Sequence, residues 1–177
     1  MTTQTTPVPF IESYPYRALE VESFQYTNIA LELKAHFSKA MKFISTIDDD
    51  KLHFQYAEGK WSVADVLGHL IDHQLLFLHR ALSFARKFKT PICAVDENEW
   101  AANSNLGNKS FETLTDLYDK SSKLFLTHIS IMDKATLKNC GIANNIELSI
   151  EQLLAYMILH ERHHLDVINT LYLSIKK

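Results

Sequence analysis

Apolar residues recur at three- and four-residue steps through four separate stretches of this chain, the period of an amphipathic α-helix. In the first stretch Ile29, Leu33, Phe37, Ala40, Ile44 and Ile47 fall on one stripe, predicting a helix from about Val21 to Ile47 that stops at Asp48, Asp49 and Asp50. The second stretch opens where Ser62 can cap and Asp65 can reach back as a variant capping box, and continues through Phe84 to about Lys87. A third helix fits Ser110 to about Met132, with Leu114, Leu117, Ser121, Leu124, His128 and Met132 marking its face. The fourth starts at Ser149, whose partner Gln152 completes a capping box, and runs to about Ile175 with Leu153, Met157, His164, Ile168, Leu171 and Ile175 in line.

The fold class this implies is all-α, a four-helix bundle. Apart from Pro91 the prolines lie within the first fifteen residues, so the helical stretches run unbroken. Between Lys87 and Ser110 the connection is long for a bundle, which predicts a crossover that leaves helices two and three parallel. With 177 residues, 46% of them apolar, the chain suits a single domain over 1–177 that buries a full core. Residues 1–10, Thr-rich at the start, are expected to be disordered.

Charge and cysteine usage narrow the function classes. A formal charge of −3 with no basic run offers no attraction to a phosphate backbone, so no nucleic-acid partner is expected. No stretch of eighteen apolar residues and no cationic leader followed by an apolar run occur, which predicts no membrane partner and a cytoplasmic location. Cys93 and Cys140 lack C-x-x-C spacing and are expected to be reduced thiols packed as small apolar residues.

The candidate chemistry lies in His160-Glu161-Arg162-His163-His164. At about 100° per residue, with Met157 as reference, His164 falls about 20° and His160 about 60° to one side, both inside the apolar arc. His163 falls about 120° away, where solvent is expected, and Glu161 about 40° across Met157, inside the arc. Two imidazoles one turn apart on a buried stripe are costly unless a metal ion coordinates them. The string also satisfies the H-E-x-x-H pattern of zinc proteases, but only thirteen residues follow His164 and they contain no further His or Glu. A third ligand must then come from another helix, and His69 and His73 share a face of the second.

The run Gly59-Lys60-Trp61-Ser62-Val63-Ala64-Asp65-Val66-Leu67-Gly68-His69-Leu70-Ile71-Asp72, followed at a distance by His160-x-x-x-His164, resembles the DinB superfamily of metal-binding four-helix bundles. The resemblance covers almost the whole chain and implies a divalent metal held by His69, His160 and His164. The segment Asp96-Glu97-Asn98-Glu99-Trp100 is similar to an acidic-Trp loop found in part of that family. His73 departs from the simplest family pattern and is either a fourth ligand, a donor behind the ligands, or a polar residue at the rim. Glu161 is either a base, a ring-orienting partner, or a buried carboxylate bonded to Tyr or Arg of another helix. His128 is expected in the core, and Asp72 in solvent or as an acceptor behind the ligands.

Three protein imidazoles leave coordination positions open, the arrangement of catalytic sites. Zinc or nickel is expected first, and manganese or iron next, since imidazole suits them all. The family resemblance implies an enzyme that moves a low-molecular-weight thiol such as bacillithiol or mycothiol onto an electrophile, with a water-activating hydrolase as the alternative. A non-catalytic metal-binding or stress-associated protein is the third reading. A homodimer is also expected, with the aromatic-rich segments Tyr14 to Tyr26 and Phe84 to Phe88 as candidate interfaces.

Overall fold

The computed structural model describes Val21 and residues 23–174. The expectations for residues 1–10, for Tyr14 and for Ile175 lie outside the described residues. Val21 and Ser23 are helical, but the chain then leaves the helix, and α1 spans Ile29–Ile44, not Val21–Ile47. The reason is Asn28, whose side chain accepts from the backbone N–H groups of Ala30 and Leu31 and so starts the helix afresh. Helix α2, Val63–Ala85, begins at the expected capping box of Ser62 and Asp65. It ends on Lys87 in the left-handed region (φ 54°), with Phe88 N–H bonded back to the Ser83 carbonyl at 3.0 Å.

The crossover carries a short helix α3, Glu97–Ser104, before α4, Phe111–Ser130. Helices α2 and α4 run in the same direction. Gly68 near the start of α2 meets Leu106 just before α4, Gln74 bonds Ser121 midway, and Asn139 beyond α4 reaches the Ala85 carbonyl at 3.4 Å. A one-turn helix α5, Lys134–Leu137, leads into a hairpin of β1, Cys140–Ala143, and β2, Ile146–Ser149. Its turn, Asn144-Asn145, has both residues at positive φ (51° and 65°), the backbone that matches strand twist in a two-residue connection. The hairpin adds to the expected all-helical architecture. Asparagine tolerates the left-handed region, so an Asn pair between Ile142-Ala143 and Ile146 was its sequence signal.

Helix α6, Ile150–Val167, begins at the capping box of Ser149 and Gln152 and widens into a π-helical turn over Ile168–Leu173. Phe77 against Tyr156 and His73 against His160 set α6 antiparallel to α2. The core between the four long helices is built from Leu33, Phe37, Leu67, Phe77, Leu114, Phe125, Leu153 and Met157, among others.

Several expected faces differ. On α4 the buried side runs through Leu114, Tyr118, Ser121, Ser122, Phe125 and Ile129, while Leu124 is exposed and Leu117 and His128 are half-buried. The stripe is turned so that Tyr118 and Ser121 can serve buried acceptors. Leu171 is exposed, because the π-helical turn breaks the 3.6-residue register. Cys93 and Cys140 are both exposed, one in the crossover and one at the start of an outer strand, so neither packs as a core residue. No helix among the described residues is long and apolar enough to cross a membrane.

Candidate metal centre

The first turns of α2 lie beside the last turns of α6, and the heptad-like steps of both helices aim imidazoles at one point. His69 Nε2 is 3.3 Å from His160 Nε2, which is 3.1 Å from His164 Nε2. One ligand atom from each of the three lies within 4.8 Å of the others, and among the described residues this is the group of His, Cys, Asp or Glu that could hold a metal ion. Gly68 explains how the crossover fits here: a Cβ at this position would lie 2.8 Å from the Cβ of Leu106. Only glycine lets that turn lie against α2 beside His69.

Burial decides the charge state. His69 and His160 are buried and His164 is half-buried. Desolvation pulls the pKa of His69 down to about 4 and that of His164 to about 2, His164 being lowered further by His69 and His163. His160 is held well below the usual imidazole range by burial and then by its neighbours His73, His164, His69 and His163. Neutral rings keep a lone pair, which is the form that binds a cation. With His160 Nε2 at 3.3 and 3.1 Å from the other two and one N–H at most on each ring, the cluster holds lone pairs that a divalent ion would satisfy. The donor set therefore fits a divalent metal ion.

Trp61 covers the site, its ring 5.0 Å from that of His69 and stacked at 19° on His164. Tyr172 fixes this cover by donating to the Trp61 carbonyl at 2.7 Å, so the π-helical turn of the last helix has a role at the site. His73 is not among the three convergent donors. Its ring stacks face to face on His160, 3.8 Å between centroids at 17°, and its Nδ1 is buried without a hydrogen-bond partner among the described residues. It orients the His160 ring by contact. His163 lies outside the triad, as the wheel placed it, but is half-buried where solvent was expected.

Glu161 faces away from the triad. Its Oε2 accepts from Tyr118 OH and pairs with His36 Nε2, both at 2.8 Å, and its Oε1 accepts from Gln74 at 2.9 Å. Of the readings open in the sequence, the buried carboxylate bonded to a Tyr of another helix is the one seen, with His36 as a further partner that periodicity alone could not pair. The carboxylate that does approach the triad is Glu97, in the acidic segment before Trp100, with Oε2 4.0 Å from His69 Nε2. Asp72 is half-buried nearby, its pKa raised by desolvation.

Beside the triad lies a narrow cavity, with room for water-sized centres of only about 20 Å³, lined by His69, Asp72, His73, Arg80, Glu97 and Asn144 among others. Arg80 and Asn144 carried no sequence signal of their own. Arg80 can be found in retrospect, since positions 69, 73, 76 and 80 step along one helix face.

Comparison with known proteins bears on the family and the fold. The model of the DinB superfamily matches residues 32–168. An Oceanobacillus iheyensis protein, provisionally named metal-dependent hydrolase OB0413, is 23% identical over 136 residues, 76% of this chain and 78% of its own length. YfiT from Bacillus subtilis, described as a probable metal-dependent hydrolase with an unusual four-helix bundle topology, superposes with a TM-score of 0.71 at 17% identity, covering 86% of this chain and 95% of that one. The mycothiol-dependent maleylpyruvate isomerase superposes with a TM-score of 0.69 at 12% identity over 82% of this chain and 61% of its own. At these identities the structural likeness shows the fold.

Proposed function

Because the chain belongs to the DinB superfamily, we propose that it is a metal-dependent enzyme whose centre, His69, His160 and His164, activates a low-molecular-weight thiol for transfer to an electrophile. The observation that carries this is the convergence of three neutral imidazoles within 4.8 Å at the wall of a cavity. A divalent ion at that point supplies Lewis acidity, lowering the pKa of a thiol or water that reaches it. His69, His160 and His164 would hold the ion through their ring nitrogens. Trp61 shields one side of the centre from water. Glu97 Oε2 is the carboxylate placed to take the thiol proton as the sulfur–carbon bond forms and the leaving group departs.

Hydrolysis is the second reading, favoured by the names of the Oceanobacillus iheyensis and Bacillus subtilis relatives. It uses the same residues with water in place of the thiol. The two separate in one assay of zinc- or nickel-loaded protein. Thiol conjugation to a bimane or chlorinated nitrobenzene, lost in His160→Ala, supports transfer. Hydrolysis of ester or amide substrates without any thiol dependence supports the hydrolase, and neither activity in protein that binds one metal per chain leaves a non-catalytic binder.

A further inference from the structure

A metal-ligating histidine is ordinarily held in orientation by an acceptor on its second ring nitrogen, either a carboxylate or a backbone carbonyl. Among the described residues His69 and His164 have no such bond. Every hydrogen bond and ion pair they make runs through Nε2, the atom that faces the centre. Both rings instead pack against Trp61. Its ring lies 5.0 Å from that of His69 at 50° and 6.4 Å from that of His164 at 19°, so one indole meets an imidazole from α2 and another from α6.

Resting on the reading of the triad as a metal centre, we propose that Trp61 is a positioning residue that holds the His69 and His164 rings toward the ion by packing, with Tyr172 as its tether. Trp61 directly precedes Ser62, the cap of α2, where an apolar residue of any shape can staple the start of a helix. A staple alone does not require this point of the chain to be tied to the far end of α6. Yet Tyr172, 1% exposed, donates its hydroxyl to the Trp61 carbonyl at 2.7 Å. Its ring is met edge-on by Tyr56 at 4.9 Å and Phe54 at 6.3 Å, both from the segment that leads to Trp61. Eight residues of regular α-helix would leave Tyr172 about 80° round from His164. The π-helical turn over Ile168–Leu173 takes more residues per turn and lessens that angle, so Tyr172 and His164 meet the same tryptophan. The wide turn thus sets the tether, the tether sets the indole, and the indole sets two of the three rings.

The test is cobalt(II) titration of the full-length protein, read as the dissociation constant and as the visible bands, which report the geometry of the nitrogen ligands. Trp61→Leu keeps an apolar staple and removes the flat ring. It is expected to weaken cobalt binding about tenfold to a hundredfold and to shift the bands, with Trp61→Phe recovering most of both. Tyr172→Phe keeps every ring in place and is expected to weaken binding about fivefold through loss of the tether. Cobalt affinity in Trp61→Leu within about threefold of the wild type, with unchanged bands, overturns the proposal. The metal-free melting temperature is measured beside it, because a staple acts on that alone. His160→Ala tells this inference from the reading beneath it. Loss of cobalt there, beside wild-type binding in Trp61→Leu, sinks the role of Trp61 and leaves the centre standing, whereas wild-type binding in His160→Ala sinks both. Should Trp61→Leu not fold, Tyr172→Phe decides, and wild-type affinity and bands in that variant overturn the proposal.

Discussion

His160 and Glu161 are neighbours on α6, yet each belongs to a different polar cluster, and the two clusters balance their hydrogen bonds in opposite ways. Around Glu161, donors meet acceptors: Tyr118 OH, Gln74 Nε2 and His36 Nε2 all point at one carboxylate, and Ser121 in turn donates to Gln74. That network is complete within the protein, and it ties α1, α2 and α4 to α6. Around His160, three neutral imidazoles turn nitrogen toward nitrogen, each ring offering one N–H at most, and burial keeps them from taking further protons. The first arrangement holds the bundle together, whereas the second presents a set of donors that could hold a metal ion. A buried polar cluster signals a ligand when its own groups cannot satisfy one another.

The contrast predicts variants that separate the two clusters, the largest effect coming from the closed one. Glu161→Ala strands His36, Tyr118 and Gln74 in the core and is expected to cost about 3–5 kcal/mol in denaturant unfolding, with metal stoichiometry in the folded fraction unchanged. Loss of metal with little loss of stability would reverse the assignment. His160→Ala is expected to weaken metal binding more than about hundredfold, about 2.8 kcal/mol, read by elemental analysis after dialysis. Its metal-free melting temperature falls far less than that of Glu161→Ala. Acid should attack the open cluster first. Each of its imidazoles is neutral in the fold but takes a proton near pH 6.5 when unfolded, so below that point the unfolded chain binds more protons. Stability of the metal-free protein is therefore full above pH 6.5 and is lost as pH falls toward about 4, where His69 itself titrates. The slope is about 1.4 kcal/mol per pH unit for each ring kept neutral, and thermal melts of a His160→Ala, His164→Ala double variant should show a shallower one.

How legible these clusters were in the sequence follows from what local periodicity can carry. The two capping boxes placed the starts of α2 and α6, and with those starts known the wheel sorted His160 and His164 from His163. The parallel course of α2 and α4 followed from connection length alone. Asn28 was passed over because apolar residues continue on both sides of it, yet a side chain that caps two backbone donors outweighs them. On α4 the expected face was right at Leu114 and Ser121 but gave Leu124 to the core, where the structure instead buries Tyr118, whose partner Glu161 lies on another helix. Such pairings join residues tens of positions apart and leave no spacing to detect. Arg80 and the Asn144 turn were missed likewise, one for being a single charge on a buried face and one for sitting in a hairpin four residues to a strand.

The smallest expected effect sharpens the comparison most, because His163 lies between His160 and His164 in sequence and shares neither cluster. Its ring stands edge-on to His164 at 5.3 Å, and its contribution to the centre is to help keep His164 unprotonated. Replacing it with alanine removes a half-buried ring at the border of the polar face, so stability should change by no more than about 0.5 kcal/mol. Metal content should be that of the wild type, with affinity above pH 7 altered by less than about threefold, since a depressed pKa matters only where protons compete. Below pH 6 the variant should release metal slightly earlier than the wild type, because His164 loses a neighbour that disfavours its charged form. If elemental analysis instead shows His163→Ala to be as metal-poor as His160→Ala, then the last turns of α6 are rotated from the arrangement described, and the division between an open cluster at His160 and a closed one at Glu161 fails with it.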